Sequence, residues 1–493
     1  MRINRSFITV ILIILICVML TGCDSSQVFS EGPELITSVP GVSVTPVDKQ
    51  VKLIDSGPVY GGTLILATTP VDSLNPLETA SRYVNYISLF IYESLFIQAT
   101  ENNFELWLVD SFSHEGFLSW NFKLKKDVMF HNGKELTSYD VRYTIRELEK
   151  SNSPFYETNI VDNIKEFNII SSSQFEIILN KPDQAFIKKL VFPILQQTYE
   201  DSNDVVGTGP YRFDTMSENE LKLVKNDKWW YAEPYIENIV FKIYEEDEML
   251  NAFQNNEIEV AFVRNVDFSK YQYRTDLDFR VFTSNESHFL YVNPDSIFGQ
   301  FRRQEALFRY VAFRLNELNL GQVQYFDQYS REPVDIDGFR EELIKSGLSY
   351  DEEENKFTYY GRELDKIRIA VPYQDLPKLH TANFLVNILG DAGISAEIVT
   401  INRNIYKREI RNGKYDLSPV SDVLKPWEDL TDTLKRIQQD LGYGREDSFI
   451  LPLYRTQQAV LFKNSIRGEK NSNYWNPYQG FYSWYKPVLN DGS

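Results

Sequence analysis

At 493 residues, 43% hydrophobic and 25% charged, the chain has globular proportions and room for about three structural units. This excludes a disordered chain or a polytopic membrane protein, and a net charge of −19 has the wrong sign for a nucleic-acid partner, whose phosphates are held by clustered cations. Two cysteines exclude a disulfide scaffold, four histidines argue against a His-built metal site, and 30 Tyr with 33 Phe suggest rings lining a cavity.

The N-terminus reads as an address. Arg2 and Arg5 precede an apolar run, Phe7 to Leu20, broken only by Thr9 and short for a bilayer span. Leu20-Thr21-Gly22-Cys23 follows and resembles a bacterial lipobox. The resemblance implies cleavage before Cys23 and acylation of its thiol. Residues 1–22 are then a lipoprotein signal peptide and Cys23 a lipid anchor, held firmly when two or more acyl chains are present. The stretch 23–56 lacks sustained periodicity and reads as a lipidated flexible tether, able to span on the order of 30 Å.

Gly61-Gly62 opens a buried strand through Ala67, and a loop with Asp72 and Asn75-Pro76 leads to a helix marked by Val84, Ile87, Ile91 and Leu95. Such α/β units bind ligands in the loops beyond their strands. Alternation of Trp120, Phe122 and Leu124 predicts a half-exposed strand, and Thr137-x-x-Asp140 a helix start carried on by Val141, Ile145 and Leu148. Residues 167–170 and 175–179 predict a hairpin. Gly207-Thr208-Gly209-Pro210-Tyr211 has no helix start placed for phosphate, so it predicts a turn into a strand. Leu221, Leu223, Ile239, Phe241 and Ile243 mark further strands. Leu307 to Leu318 forms an amphipathic helix, and 366–400 a strand, helix and strand of parallel-crossover size with Gly393 as the helix stop.

These blocks resemble the family 5 extracellular solute-binding proteins of ABC importers, the oligopeptide, dipeptide and nickel-binding group. The matching residues are Gly61 to Leu64, Leu74 to Leu77, Ile91 to Phe96, Trp120 to Gly133, Gly207 to Tyr211, Arg302 to Ala306, Leu389 to Ile394, Gly413 to Asp416 and Leu451 to Tyr454. The resemblance implies an α/β, bilobal periplasmic-binding-protein-like fold with a hinge and an α+β subdomain inserted in the first lobe. Lobe I would comprise 57–95, 205–285 and 460–493, the insertion 96–204, and lobe II 286–459. The implied task is capture of a peptide or peptide-like solute by hinge closure, with delivery to an ABC permease and ATPase complex. The chain would act as a lipid-anchored monomer on the extracytoplasmic face of the cell membrane, without cofactor, metal or covalent chemistry.

The family also implies a segment across the cleft, with a Trp and then an acid that pairs with a peptide amine. Here Asp422 stands about where that Trp is expected and Lys425 about where the acid is expected, while Trp427, Glu428 and Asp429 come late. The candidate ligand-binding residues are Val71, Asp72, Asp422, Trp427, Tyr478 and Tyr482. Trp427 is a pocket wall or a core anchor. Asp422 is a charge partner or a helix cap. Phe481 and Trp484 are expected in the core, and His131 in a structural turn. Arg264 either meets a carboxylate or lies on the surface, and Glu245 to Glu248 form a solvated run. Alternatives are the same fold binding a metal chelate, a glycoside or a signalling peptide, or a surface-anchored hydrolase. Against the hydrolase, the sequence has no His-Glu-x-x-His, Gly-x-Ser-x-Gly or P-loop motif.

Overall fold

A computed structural model of the chain describes residues 57–151, 153–197, 204–264, 271, 273–318, 323–326, 332–425, 427–442 and 449–487. The Cys23 lipobox and the tether lie outside the described residues.

Gly61 and Gly62 have φ of +108° and +82°, which a side chain would strain, and they feed β1 (Thr63–Thr68). Ser81 caps α1 (Arg82–Ile91), whose buried residues surround most of its circumference. The helix ends at Ile91, one turn short of Leu95. Tyr92 is extended, and the Ile91 carbonyl accepts the N–H of Gly209 at 2.8 Å. A tertiary contact thus closes the helix end that apolar spacing alone would have carried further.

The next stretch supplies β2 (Phe96–Gln98), β3 (Phe104–Leu106), β4 (Val109–Glu115), β5 (Ser119–Leu124), α2 (Ser138–Glu149), β6 (Ile164–Ser171) and β7 (Gln174–Leu179). Strands β4-β5-β7-β6 form an antiparallel sheet in that order. Trp120, Phe122 and Leu124 point inward against Phe175, Ile177 and the α2 residues Val141, Ile145 and Leu148. Each fully buried Phe or Leu here stabilises the fold by roughly 2 kcal/mol. At the start of α2, the Asp140 carboxylate accepts the Thr137 N–H at 2.8 Å and the Thr137 hydroxyl at 2.7 Å. The acid thereby closes its side of a capping box with Thr137.

The chain returns through β8 (Tyr211–Met216), β9 (Glu220–Lys225) and β10 (Asn238–Ile243), giving a sheet ordered β1-β10-β9-β8 with β1 and β10 parallel. A Cβ on Gly207 would lie 1.9 Å from the Ile91 carbonyl oxygen, so the glycine turn before β8 exists to let two backbones touch. His131 pins this turn. Its Nδ1 accepts the Gly207 N–H at 3.3 Å, which leaves Nε2 to donate to the Gly209 carbonyl at 3.0 Å. Burial pushes its pKa down to about 4.

Among the remaining elements are β11 (Val260–Arg264), β12 (Leu277–Val292), α3 (Phe301–Arg314), β13 (Val323–Tyr325), β14 (Ser349–Asp351), β15 (Lys356–Tyr359), β16 (Arg362–Glu363), β17 (Ile367–Pro372), α4 (Leu376–Ala392), β18 (Ala396–Ile401), β19 (Leu417–Val423), α5 (Leu430–Asp440) and β20 (Ile450–Lys463). Strands β17 and β18 are parallel across α4, which stops at Gly393 with φ +93°. One sheet runs β11-β20-β12-β19-β17-β18, with β13 also paired to β20. The long strands β12 and β20 therefore belong to both halves of the fold. Their ladder is interrupted between the pairs Thr283–Gln457 and Ser287–Arg455, so Ser284, Asn285 and Glu286 stand opposite Thr456 alone. The chain end returns to the first lobe, where Tyr478, Phe481 and Trp484 pack with Phe90, Tyr211 and Phe241.

Candidate functional site

A cavity of about 780 Å³ opens where the first lobe, the inserted sheet and the β19–α5 region meet. That volume lies in the range of small-ligand sites, roughly 300–1,000 Å³. Its lining is aromatic: Tyr83 and Tyr86 from α1, Trp107 and Tyr156 from the insertion, Trp229, then Trp427, Tyr474, Trp475 and Tyr482. Trp475 ties the C-terminal segment to the insertion by donating its indole N–H to the Gln98 carbonyl at 2.7 Å.

The sequence candidates separate into two groups. Asp422, Trp427 and Tyr482 line the cavity. Val71, Asp72 and Tyr478 do not. Val71 packs against the first-lobe core. Asp72 closes its own loop, accepting the Thr79 hydroxyl at 2.6 Å and the N–H groups of Ala80 and Ser73 at 2.9 Å. Burial pushes its carboxyl up, but these hydrogen bonds together outweigh burial and hold it below the usual range. Tyr478 is 4% exposed and stands behind Tyr86, ring centroids 6.1 Å apart and edge-on. It supports the wall without forming it. Tyr482 packs on Trp229 at 5.5 Å, and burial pushes its hydroxyl up to about 12.

Asp422, on β19 beside the interrupted ladder, is already paired. Its Oδ2 accepts Arg436 Nη1 at 2.6 Å and its Oδ1 the Val423 N–H at 2.7 Å. Arg436, on α5, also donates to Glu428 at 2.9 Å and to the Val423 carbonyl at 3.0 Å. Lys425 lies 3.4 Å from Glu157 and 3.6 Å from Glu428. Trp427 has a buried indole N–H without an acceptor, and Lys425 Nζ lies 5.7 Å from its ring.

On the opposite, first-lobe side stand Arg264, for which the sequence left a carboxylate partner or a surface position open, and Arg82, which it did not mark. Arg82 opens α1, and Arg264 ends β11 with its Nη1 3.5 Å from Glu246. Tyr83 donates to the same Glu246 oxygen at 3.2 Å, so one acid of the solvated run turns inward. The buried Tyr86 hydroxyl is pushed up by burial and feels Arg82, Arg264 and Glu246 together.

Glu93 is the deepest charge of the lining, 6% exposed. Its carboxylate accepts the indole N–H of Trp107 at 2.8 Å, of Trp229 at 3.0 Å and of Trp230 at 3.0 Å. Burial outweighs these donors and pushes its pKa up to about 7. Among the described residues no group of three His, Cys, Asp or Glu could hold a metal ion, and no helix is long and apolar enough to cross a membrane.

A two-lobed α/β scaffold joined by shared strands, with an aromatic cavity at the junction, is the fold shared with solved bilobal binding proteins. The sequence model described as "Bacterial extracellular solute-binding proteins, family 5 Middle" matches residues 103–315. The chain is 28% identical over 193 residues to Uncharacterized protein YhjP of Bacillus subtilis (strain 168), covering 38% of this chain and 33% of that protein. It is 25% identical over 204 residues to Oligopeptide-binding protein AppA of the same organism, covering 38% of each. The chain thus spans little more than a third of the length of the curated relatives it matches. The crystal structure of NikA from Brucella suis in complex with Fe(III)-EDTA superposes with a TM-score of 0.68 at 15% identity, over 86% of this chain and all of that one.

Proposed function

We propose that the chain is a solute-binding receptor of an ABC importer, taking a peptide or peptide-like solute into the cavity and closing its lobes over it. The observation that carries this reading is the cavity itself. Its wall is built from both lobes and the insertion, and the lobes share two strands with an interrupted ladder. Ring faces and scattered polar groups suit binding without turnover. The similarity to an oligopeptide-binding protein supports a peptide-like guest. Delivery would be to a permease and ATPase complex, from a chain anchored through Cys23 on the extracytoplasmic face.

A metal chelate is the second reading. It is favoured by the two guanidinium groups on the first-lobe wall and by the fold shared with a protein solved with Fe(III)-EDTA. Native mass spectrometry of the protein purified from rich medium tests both. Co-purified peptides support the first reading and a metal complex the second. An empty protein that hydrolyses a substrate overturns the receptor.

A further inference from the structure

The charges in the cavity are arranged unevenly. On the β19–α5 side, Asp422 is capped at 2.6 Å by Arg436, with its second oxygen on the Val423 amide. A ligand ammonium would meet a carboxylate that already holds a guanidinium, and would bring a second cation beside it. On the first-lobe side, two guanidinium groups, Arg82 and Arg264, line the cavity, and the acid Glu246 pairs with Arg264 at 3.5 Å. Among the described residues Arg82 makes no ion pair, and the buried Arg264 Nε has no hydrogen-bond partner. Both cations line the same cavity as Tyr86, and both act electrostatically on its hydroxyl. Glu93, deeper in the same lining, is held by the indole N–H groups of Trp107, Trp229 and Trp230, so Glu246 is the acid beside these two cations.

Resting on the reading of this cavity as a solute site, we propose that Arg82 and Arg264 form a subsite for a carboxylate of the ligand. Asp422, capped by Arg436, does not serve as an amine receptor. The preferred guest is then an amine-blocked or otherwise anionic solute rather than a peptide recognised by its free amino terminus. Guanidinium groups suit this task, because their planar donors match a carboxylate and stay charged at every relevant pH.

The test uses the full chain and three probes: an N-acetylated tripeptide with a free carboxylate, the same tripeptide with a free amine and an amidated carboxyl, and Fe(III)-EDTA. Binding is read by calorimetry and by the rise in melting temperature. The acetylated peptide is expected to bind more tightly than the amidated one. Arg82→Gln and Arg264→Gln should each weaken it about tenfold or more, as loss of a charge-assisted hydrogen bond does. Arg436→Gln, which uncaps Asp422, should strengthen binding of the amidated peptide, a gain that misfolding cannot mimic. Binding of Fe(III)-EDTA that is lost in the Arg82 and Arg264 variants also supports the subsite and identifies a chelate as its source. Preference for the amidated peptide in the unaltered protein overturns the subsite and leaves the receptor standing. Absence of any response to all three probes overturns both.

Discussion

Lys425 Nζ lies 3.4 Å from Glu157 Oε2 and joins the segment after β19 to the inserted subdomain. A second link has the same sense: Arg455, on β20, reaches Glu101 of the insertion at 2.5 Å. The lysine is about one-third exposed, so its pair contributes at most about 1 kcal/mol and is screened by salt. Both links join the inserted subdomain to the second half of the fold, and under the proposed closure they would favour the closed form. Glu157→Gln should therefore weaken ligand binding a few-fold at low salt and little at 0.5 M salt. Calorimetry at the two ionic strengths checks this. Identical affinities for variant and parent in dilute buffer would show that the pair does not act in closure.

Glu93 gives a pH signature. Its pKa is pushed up to about 7 from an ordinary 4.5, so the folded chain keeps a proton that the unfolded chain releases in this interval. The stability it contributes is present below pH 4.5 and is lost as pH rises through 7, about 3 kcal/mol in all. Two histidines act in the opposite sense. Burial pushes His131 down to about 4 and His288 down to about 3, so their contribution is present above 6.5 and fades as pH falls. The readout is therefore the difference between the parent and Glu93→Gln in urea denaturation at pH 5, 6.5 and 8. The parent should lose ground to the variant with rising pH. Parallel curves at a constant offset would place the Glu93 pKa near its ordinary value.

Gly207→Ala addresses the backbone contact that closes α1. The added carbon would sit 1.9 Å from the Ile91 oxygen, and backbone cannot rotate away as a side chain can. A loss of about 3 kcal/mol or more is expected, with a matching fall in the melting temperature. Gly347→Ala offers a contrast, since its Cβ would meet nothing within 4 Å and only its φ of +98° carries strain. Equal losses from the two changes would show that the steric contact is not what selects glycine at 207.

Cys23→Ser tests the anchor. The variant should appear in the soluble fraction, while the parent partitions with membranes. Membrane retention of the serine form would remove the lipobox assignment.

Local rules carry far in this chain. Alternation at Ile367, Ile369 and Val371 with Gly393 gives the β17–α4–β18 crossover, because period and stop signal are both short-range. Thr137 and Asp140 mark their helix start for the same reason. What sequence could not give is convergence. Glu93 meets Trp107, Trp229 and Trp230 across separations of 14, 136 and 137 residues, and no periodicity records such a meeting. Asp422 stood out as an acid near the cleft segment, but its neutralisation depends on Arg436 coming round from α5. Tyr478 and Tyr482 are one helical turn apart in number and differ in place, because a short turn at Phe481–Ser483 sends one ring into the core and the other to the cavity.

The paired strands β12 and β20 keep their backbone bonds on both sides of Ser284–Glu286. A ribbon of this build resists being stretched or sheared along its length, yet it yields to twisting where the rungs are missing. Closure of the lobes as proposed would then be a swing about this break and not a slide, and each reopening would bring the same rings back into register.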